Sequence, residues 1–341
     1  MPIIEHLIAD TFGTHIGKYS ERLKITQANE TLAQAPLIHL KSVLVASRGV
    51  SVSADALEAC AERGIPVFFV NGQGTAYATV YASGLMGTVM TRRAQLLAYY
   101  DRRGVEAAVA MAAGKIANQA ATLKYLAKTR KESYPEIYQE LHLCAGEVLD
   151  CLANLDQIGI SCLDDARPAI MAAEGQAAKR YWAAVGAVFP EQYHWPGRVG
   201  RGATDPLNSL LNYGYGILYG VIEQAIILAG LDPYAGFLHA DRSGKPSLVL
   251  DLIEEFRQVA VDRLVFGLAN RDFVVEQDER GLLCTETRRT LAEKTLAHVD
   301  AGVRYNGKRF PLRWVIQAQA RELAAFLRGD RAAYTPFKAT W

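Results

Sequence analysis

The stretch GKPSLVLDLIEEFR, residues 244 to 257, sets Asp251, Glu254 and Glu255 among Leu248, Val249, Leu250, Leu252, Ile253 and Phe256. Asp251 and Glu254 are three residues apart and so neighbours on one helical face, the spacing by which a helix offers two oxygen ligands to one cation. His239 lies just upstream in LDPYAGFLHADRSGKPS, a loop that can fold its imidazole back toward the first turns of the acid-bearing helix. Glu174 in MAAEGQAAKRYW stands beside Gly175 among small residues, with room for close approach by another backbone or a ligand. A Glu, a His and an acid pair drawn from separate segments make a mixed nitrogen and oxygen donor set suited to Mn²⁺ or Mg²⁺ rather than a thiolate zinc site. Sites of that kind perform phosphoryl transfer on nucleic acids.

Each of these residues also has a plainer reading. Projected at 100° per residue, Leu248, Val249, Leu252, Ile253, Phe256 and Ala260 form one apolar stripe, and the acids lie to its other side. That pattern alone fits a solvated acid face paired with Lys245 and Arg257, a lone structural histidine and a surface glutamate. Against it, Leu250, Val261 and Val265 also fall on the acid side, so the helix is covered over most of its circumference. Carboxylates partly buried in this way need a cation, supplied by basic side chains or by a metal.

Other constellations carry less. His142, Cys144 and Cys151 lack the paired spacing of a zinc site. GQG and GYGILYG complete neither a Walker nor a dinucleotide fingerprint.

The elements that must position these residues follow from pattern and turn chemistry. The first ~85 residues are β-rich: HIGKYSERLKIT alternates, SVLVAS and IPVFFV are short buried-strand runs, and NGQG at 71 to 74 precedes the alternating TAYATVYA. One helix, SADALEACAERG, interrupts them, with Ser53 as N-cap and Gly64 as stop. After SGLMG (83 to 87) long stretches rich in Ala, Leu, Gln, Lys and Arg take over, predicting helices over 91–103, 105–130, 135–155, 168–186, 208–230, 247–269, about 286–299 and about 313–328. The expected fold class is α+β: a small N-terminal β-rich domain over residues 1–87, then a larger all-α domain over 88–341. The terminal RGDRAAYTPFKATW is expected to be less ordered than the rest.

The chain has 341 residues, half of them hydrophobic, enough for one large or two unequal domains. Its 37 basic and 36 acidic residues remove any whole-chain basic field, so a nucleic-acid role requires locally clustered Lys and Arg. Five scattered cysteines and an N-terminus without a signal-peptide pattern predict a reduced, intracellular protein. The apolar run 210–231 carries Asn212, Glu223, Gln224 and three tyrosines, and reads as a buried core helix rather than a membrane span.

EGQAAKRYW (174–182), DPLNSLLNYGYGILYG (205–220), GFLH (236–239) and GKPSLVLDLIEEFR (244–257), in that order, resemble the CRISPR-associated protein one family, the nuclease-integrase of CRISPR adaptation. The match is specific from about 170 to 265 and softer elsewhere. The resemblance implies an N-terminal β domain that makes a homodimer, and a helical catalytic domain holding Mg²⁺ or Mn²⁺ on Glu174, His239 and Glu254. Asp251 matches a further acid beside the site, and Glu255 competes with Glu254 for the ligand position. It further implies that the 3′-hydroxyl of a short DNA fragment attacks a phosphodiester of the CRISPR repeat, joining the fragment as a new spacer in a prokaryotic cytoplasm. With water as nucleophile, the same site would cleave branched DNA. His239, as a neutral ligand, implies activity that falls as it protonates at low pH. A small second adaptation protein is the implied partner, and no membrane is involved. Lys245, Arg92, Lys179, Arg180, Arg242 and Arg257 are candidates for phosphate contacts. Two other functions fit the same motifs: a stand-alone nuclease of branched repair intermediates, and a non-catalytic DNA-binding scaffold.

Overall fold

In the computed structural model, residues 4–72, 74, 76–80, 89–159, 162–200 and 202–341 are described. The domain boundary expected near residue 88 and the SGLMG segment lie outside them. The fold is a small N-terminal β-sheet portion followed by a mostly helical one.

Eight short strands make two four-stranded sheets. Strands β1 (His6–Ala9), β2 (His15–Tyr19), β3 (Arg22–Gln27), β4 (Glu30–Pro36), β5 (Ser42–Val45), β6 (Ser51–Val52), β7 (Val67–Val70) and β8 (Ala76–Val80) are ordered β1-β5-β7-β8 in one sheet and β4-β3-β2-β6 in the other. The runs read as buried strands, SVLV and VFFV, pair in parallel at the centre of the first sheet. This is where a continuous apolar run belongs, since a central strand is covered on both faces. The alternating HIGKY and RLKITQ pair antiparallel, with Ile16 opposite Ile25 and both buried. Helix α1 (Ala54–Glu62) adds Ala56, Ala59 and Cys60 to the same core.

The helical elements are α2 (Val89–Ala98), α3 (Arg102–Lys128), α4 (Pro135–Asp150), α5 (Leu152–Asp156), α6 (Leu163–Gly186), α7 (Pro206–Leu228), α8 (Ser247–Ile253), α9 (Arg263–Ala269), α10 (Thr285–Asp300) and α11 (Leu312–Arg328). Their ends follow local chemistry. The Asp101 carboxylate caps α3 by accepting from the Arg103 N–H at 2.9 Å, Pro135 occupies the first turn of α4, and α11 stops at Gly329 with φ of 83°. No helix among the described residues is long and apolar enough to cross a membrane.

By contacts the chain divides into two compact units. One comprises Met1–Leu85, Gly200–Gly220 and Val274–Ala297; the other comprises Met86–Val199, Val221–Phe273 and His298–Trp341. Within the first unit, the glycines of GYGILYG have a packing role. A Cβ on Gly216 would lie 1.6 Å from the Gly74 carbonyl oxygen, and one on Gly220 would lie 2.9 Å from the Phe68 ring, so only glycine lets α7 approach this closely. Arg289 grips Asp10 in the same unit through two hydrogen bonds of 2.5 and 2.6 Å.

Three sequence expectations need correction in the second unit. The helix expected over 247–269 is broken: α8 ends at Ile253, a turn follows, and residues Gln258–Asp262 form a π-helical turn before α9. A β-hairpin, β9 (Gly302–Tyr305) with β10 (Lys308–Pro311), interrupts what was expected to be all-α. The terminal segment is docked rather than loose, with Phe337 only 2% exposed and its ring stacked on Phe256 at 5.4 Å and 10°.

Candidate functional site

The three acids of residues 244–257 turn out to have three different sets of partners, all within the second unit. Asp251 is fully buried and accepts backbone N–H donation from Phe237 at 2.6 Å, Leu238 at 3.0 Å and His239 at 2.8 Å. The loop can wrap this tightly because Gly236 has no side chain; a Cβ there would lie 2.7 Å from Asp251 Oδ2. The buried Ser247 hydroxyl accepts from Gly236 N–H at 2.9 Å and anchors the other side of the loop. This network explains why GFLH and GKPSLVLD occur together: one carboxylate organises the backbone of the other motif.

Asp251 also takes His239. The imidazole Nδ1 lies 2.8 Å from Asp251 Oδ1. Because the carboxylate can only accept, Nδ1 carries the proton and a neutral ring keeps its lone pair on Nε2. This is the orientation by which a carboxylate prepares a histidine for a metal or for proton transfer. Asp251, expected beside the catalytic groups, thus has both oxygens already occupied by the loop backbone and the imidazole.

Glu254, one turn on, faces a cluster of charge instead. Its side chain is 6% exposed; Oε2 lies 2.5 Å from Lys115 Nζ, without a well-aligned hydrogen bond, and Oε1 accepts from Arg257 Nε at 3.1 Å. Lys115, on α3, simultaneously contacts Glu174 Oε1 on α6. Burial alone would push the Glu254 carboxyl up, but Arg257 and Lys115 outweigh it and hold it down at about 2. Burial likewise disfavours charge on Lys115, yet Glu254 and Glu174 raise it above its ordinary value. All these charges persist because each has a partner.

Glu255 points elsewhere. It is fully buried, accepts from the Tyr334 hydroxyl at 2.6 Å through Oε1 and from the Phe337 N–H at 2.8 Å through Oε2. Burial pushes its carboxyl up to about 8, against the two donors, so it is largely protonated at neutral pH. Geometry thus separates the two adjacent glutamates: Glu254 joins Glu174, and Glu255 holds the chain terminus.

Glu174 is held in place by the rest of its motif. Tyr181, two turns along α6 on the same face, is buried and donates to Asp262 Oδ2 at 2.7 Å, tying α6 to the π-helical turn. Gly175 is not needed for any close contact within the chain, since a Cβ there meets nothing within 4 Å. Sequence reasoning missed Lys115. The available signal was GKIANQAAT on α3, where Asn118, Gln119 and Thr122 are also buried and polar, an unusual load for an Ala-rich helix.

The donor set fits a hard divalent cation. Two carboxylates, Glu174 on α6 and Glu254 in the turn after α8, already share one positive charge, the Lys115 ammonium, and the His239 imidazole lies nearby, while no thiolate enters the cluster among the described residues. The ligand atoms of Glu174, His239 and Glu254 do not all come within 4.8 Å of one another in this arrangement. Of the basic candidates, Arg92, Lys179, Arg180 and Arg242 are exposed and Lys245 is half-buried. Arg180 lies 3.7 Å from Glu147, and Arg257 is engaged by Glu254.

Comparison with known proteins agrees with the motifs. Residues 7–295 match the family CRISPR associated protein Cas1. The CRISPR-associated endonuclease Cas1 1 of Archaeoglobus fulgidus is 37% identical to this chain, covering 98% of it and 99% of that protein. Among solved structures, a casposase bound to integration product superposes with a TM-score of 0.82 at 23% identity, covering 99% of this chain and 95% of that one. A Cas6-RT-Cas1–Cas2 complex superposes at 0.77 and 19% identity, covering 98% of this chain and 36% of that chain. The order of motifs, the way Asp251 binds one to another, and the nearly full-length similarity converge: the chain belongs to the CRISPR associated protein Cas1 family.

Proposed function

We propose that the protein is a metal-dependent DNA endonuclease and integrase of CRISPR adaptation, inserting short DNA fragments into the repeat array. One observation supports the reading: Glu174 on α6 and Glu254 in the turn after α8 converge on the largely shielded Lys115 ammonium, beside a histidine oriented by Asp251. Glu174, His239 and Glu254 would hold the metal. When bound, Mg²⁺ or Mn²⁺ would stabilise charge on a phosphate and orient the attacking and leaving oxygens.

The chain's own groups complete the chemistry. Asp251 keeps the His239 proton on Nδ1, so Nε2 stays directed away from it as a neutral donor. Lys115 and Arg257 bring two positive charges to the carboxylates, so a phosphate entering the site meets cations on the protein as well. In strand transfer the 3′-hydroxyl oxygen of the fragment bonds to phosphorus, the bond to the repeat's 3′-oxygen breaks, and the proton lost by one oxygen is matched by one gained at the other. Diester bonds are conserved in number. With water in place of the 3′-hydroxyl, the same displacement is hydrolysis.

In this reading the β-sheet portion mediates a homodimer, and a Cas2-type protein is the partner, as in the Cas6-RT-Cas1–Cas2 complex of similar fold. Lys245, Arg242, Lys179, Arg180 and Arg92 are the proposed phosphate contacts. The test is strand transfer and cleavage on a labelled branched half-site DNA, with Mn²⁺ or with EDTA. Wild type should be active with Mn²⁺ alone, and His239→Ala and Glu254→Ala should lose activity while still binding DNA. Activity indifferent to both substitutions would refute the assignment.

A further inference from the structure

The segment from Tyr334 to Trp341 makes a set of contacts that a merely trailing terminus has no reason to make. Tyr334 and Phe337 both hydrogen-bond the Glu255 carboxyl. Asn118 on α3 is fully buried; its amide nitrogen donates to the Glu255 carbonyl at 2.7 Å and to the Phe337 carbonyl at 2.9 Å, and its oxygen accepts from the Ala339 N–H at 2.7 Å. Gly114 lies at the same junction: a Cβ there would come within 2.8 Å of Pro336 and 3.0 Å of the Glu255 side chain. Trp341 donates to the Ala121 carbonyl at 3.1 Å, and the Arg263 guanidinium sits 4.4 Å from its ring centre.

These contacts fall on two stretches of chain, residues 114–125 of α3 and residues 255–263 after α8. Those stretches carry, or directly adjoin, the two halves of the charge cluster. Lys115 follows Gly114 and precedes Asn118 by one turn; Glu254 precedes Glu255. The α3 side and the acid side are joined near the site by one amide, Asn118, and by the terminal segment that Asn118 holds. The turn at 254–256 has no continuous helix to fix it, because α8 stops at Ile253.

We propose that the C-terminal segment Tyr334–Trp341 is a positioning element of the metal site, clasping α3 to the turn after α8 so that Glu254 is set against Lys115 and Glu174. This rests on the metal-site reading above. Neither Glu255 nor the segment touches the reacting atoms. They act through Glu254, and the consequence is that metal affinity depends on residues at the extreme end of the chain.

The test is Mn²⁺ titration calorimetry on the full chain, on Glu255→Ala, Glu255→Gln and Tyr334→Phe, and on a chain ending at Ala333, each at a temperature where circular dichroism shows the fold intact. Glu255→Gln keeps an acceptor for Phe337 N–H, and its amide N–H can donate to the Tyr334 oxygen in place of the bond that hydroxyl donates in wild type, so it should bind Mn²⁺ like wild type. Glu255→Ala and the truncation should weaken binding about tenfold, the scale on which groups that orient ligands act. A synthetic peptide of residues 332–341 added to the truncated chain should restore it. If the truncated chain does not fold, Glu255→Ala and Tyr334→Phe carry the comparison. A lower melting temperature with unchanged Mn²⁺ affinity in these variants overturns the clasp and leaves the metal site standing, provided Glu254→Gln loses binding. Wild type that binds no Mn²⁺, or binding that survives Glu254→Gln, overturns the site reading and the clasp with it.

Discussion

Lys115 Nζ lies 2.5 Å from Glu254 Oε2 and contacts Glu174 Oε1 at the same time, so one ammonium bridges the two carboxylates assigned to the metal. The side chains are 14%, 6% and 18% exposed respectively, which keeps solvent from screening them. If those carboxylates hold the metal as proposed, an amino group in that position ties them together without it and competes with it.

Lys115→Met should therefore have two opposite effects. Without metal, two largely buried carboxylates lose their shared partner, and stability should fall by about 3 kcal/mol. With Mn²⁺, the competitor is gone, so affinity should rise and the lost stability should return. Thermal melts with and without Mn²⁺ check both. A variant as stable as wild type without metal, and no tighter in binding it, would contradict the bridge.

Asp251→Asn should leave the fold standing but loosen the GFLH loop, because an amide presents one oxygen where three backbone N–H groups and an imidazole converge. Mn²⁺ affinity should drop by about 10- to 100-fold. Calorimetry measures the drop, and nitrogen chemical shifts of His239 should show the proton no longer fixed on Nδ1.

The adjacent glutamates predict opposite pH dependences. Glu255 is raised from an ordinary value near 4.5 to about 8, so the folded state holds its proton more tightly. Its contribution is fully present below about pH 4.5 and is lost as pH rises through about 8. Glu254 is lowered to about 2, so its contribution is present above about pH 4.5 and lost as pH falls toward 2. Denaturant melts across pH should show Glu255→Gln flattening the slope between about pH 4.5 and 8 while leaving the acid limb unchanged. An unchanged slope in that window would mean Glu255 is ionised in the fold.

The helices were legible because their apolar positions recur at helical spacing, and the strands because short β-branched runs are bounded by turn residues. The break after Ile253 was not legible: nearly every residue from 248 to 262 is buried, so an apolar pattern continues across a turn that changes the backbone beneath it. The hairpin at 302–311 did carry a signal, the Asn306–Gly307 pair between alternating residues. Glu174, His239 and Glu254 could be picked from motif order. Their bridging lysine was missed, because Lys115 comes from a helix 59 residues before Glu174 in sequence and only the polar load of GKIANQAAT marks it. The terminal segment looked loose because it is short and polar, yet Tyr334 and Phe337 supply the side chain and backbone donors that a protonated, buried Glu255 accepts.

DNA binding should be strongly salt-dependent despite a formal net charge of only +1. Arg242 is exposed in the turn that leads into Lys245 and α8. Arg242→Ala should weaken binding to all sequences alike and reduce the slope of log affinity against log salt by ~1. Fluorescence anisotropy over a salt series reads this directly, and an unchanged slope would remove Arg242 from the phosphate contacts.

The most direct measurement of the central claim is electron paramagnetic resonance of Mn²⁺ bound to protein labelled with ¹⁵N-histidine. The site described here predicts a ¹⁵N coupling from one directly bound imidazole, absent in His239→Gln, with Mn²⁺ itself released in Glu254→Gln. A Mn²⁺ signal without nitrogen coupling, or one unchanged in both variants, would contradict the assignment of Glu174, His239 and Glu254 as the metal site.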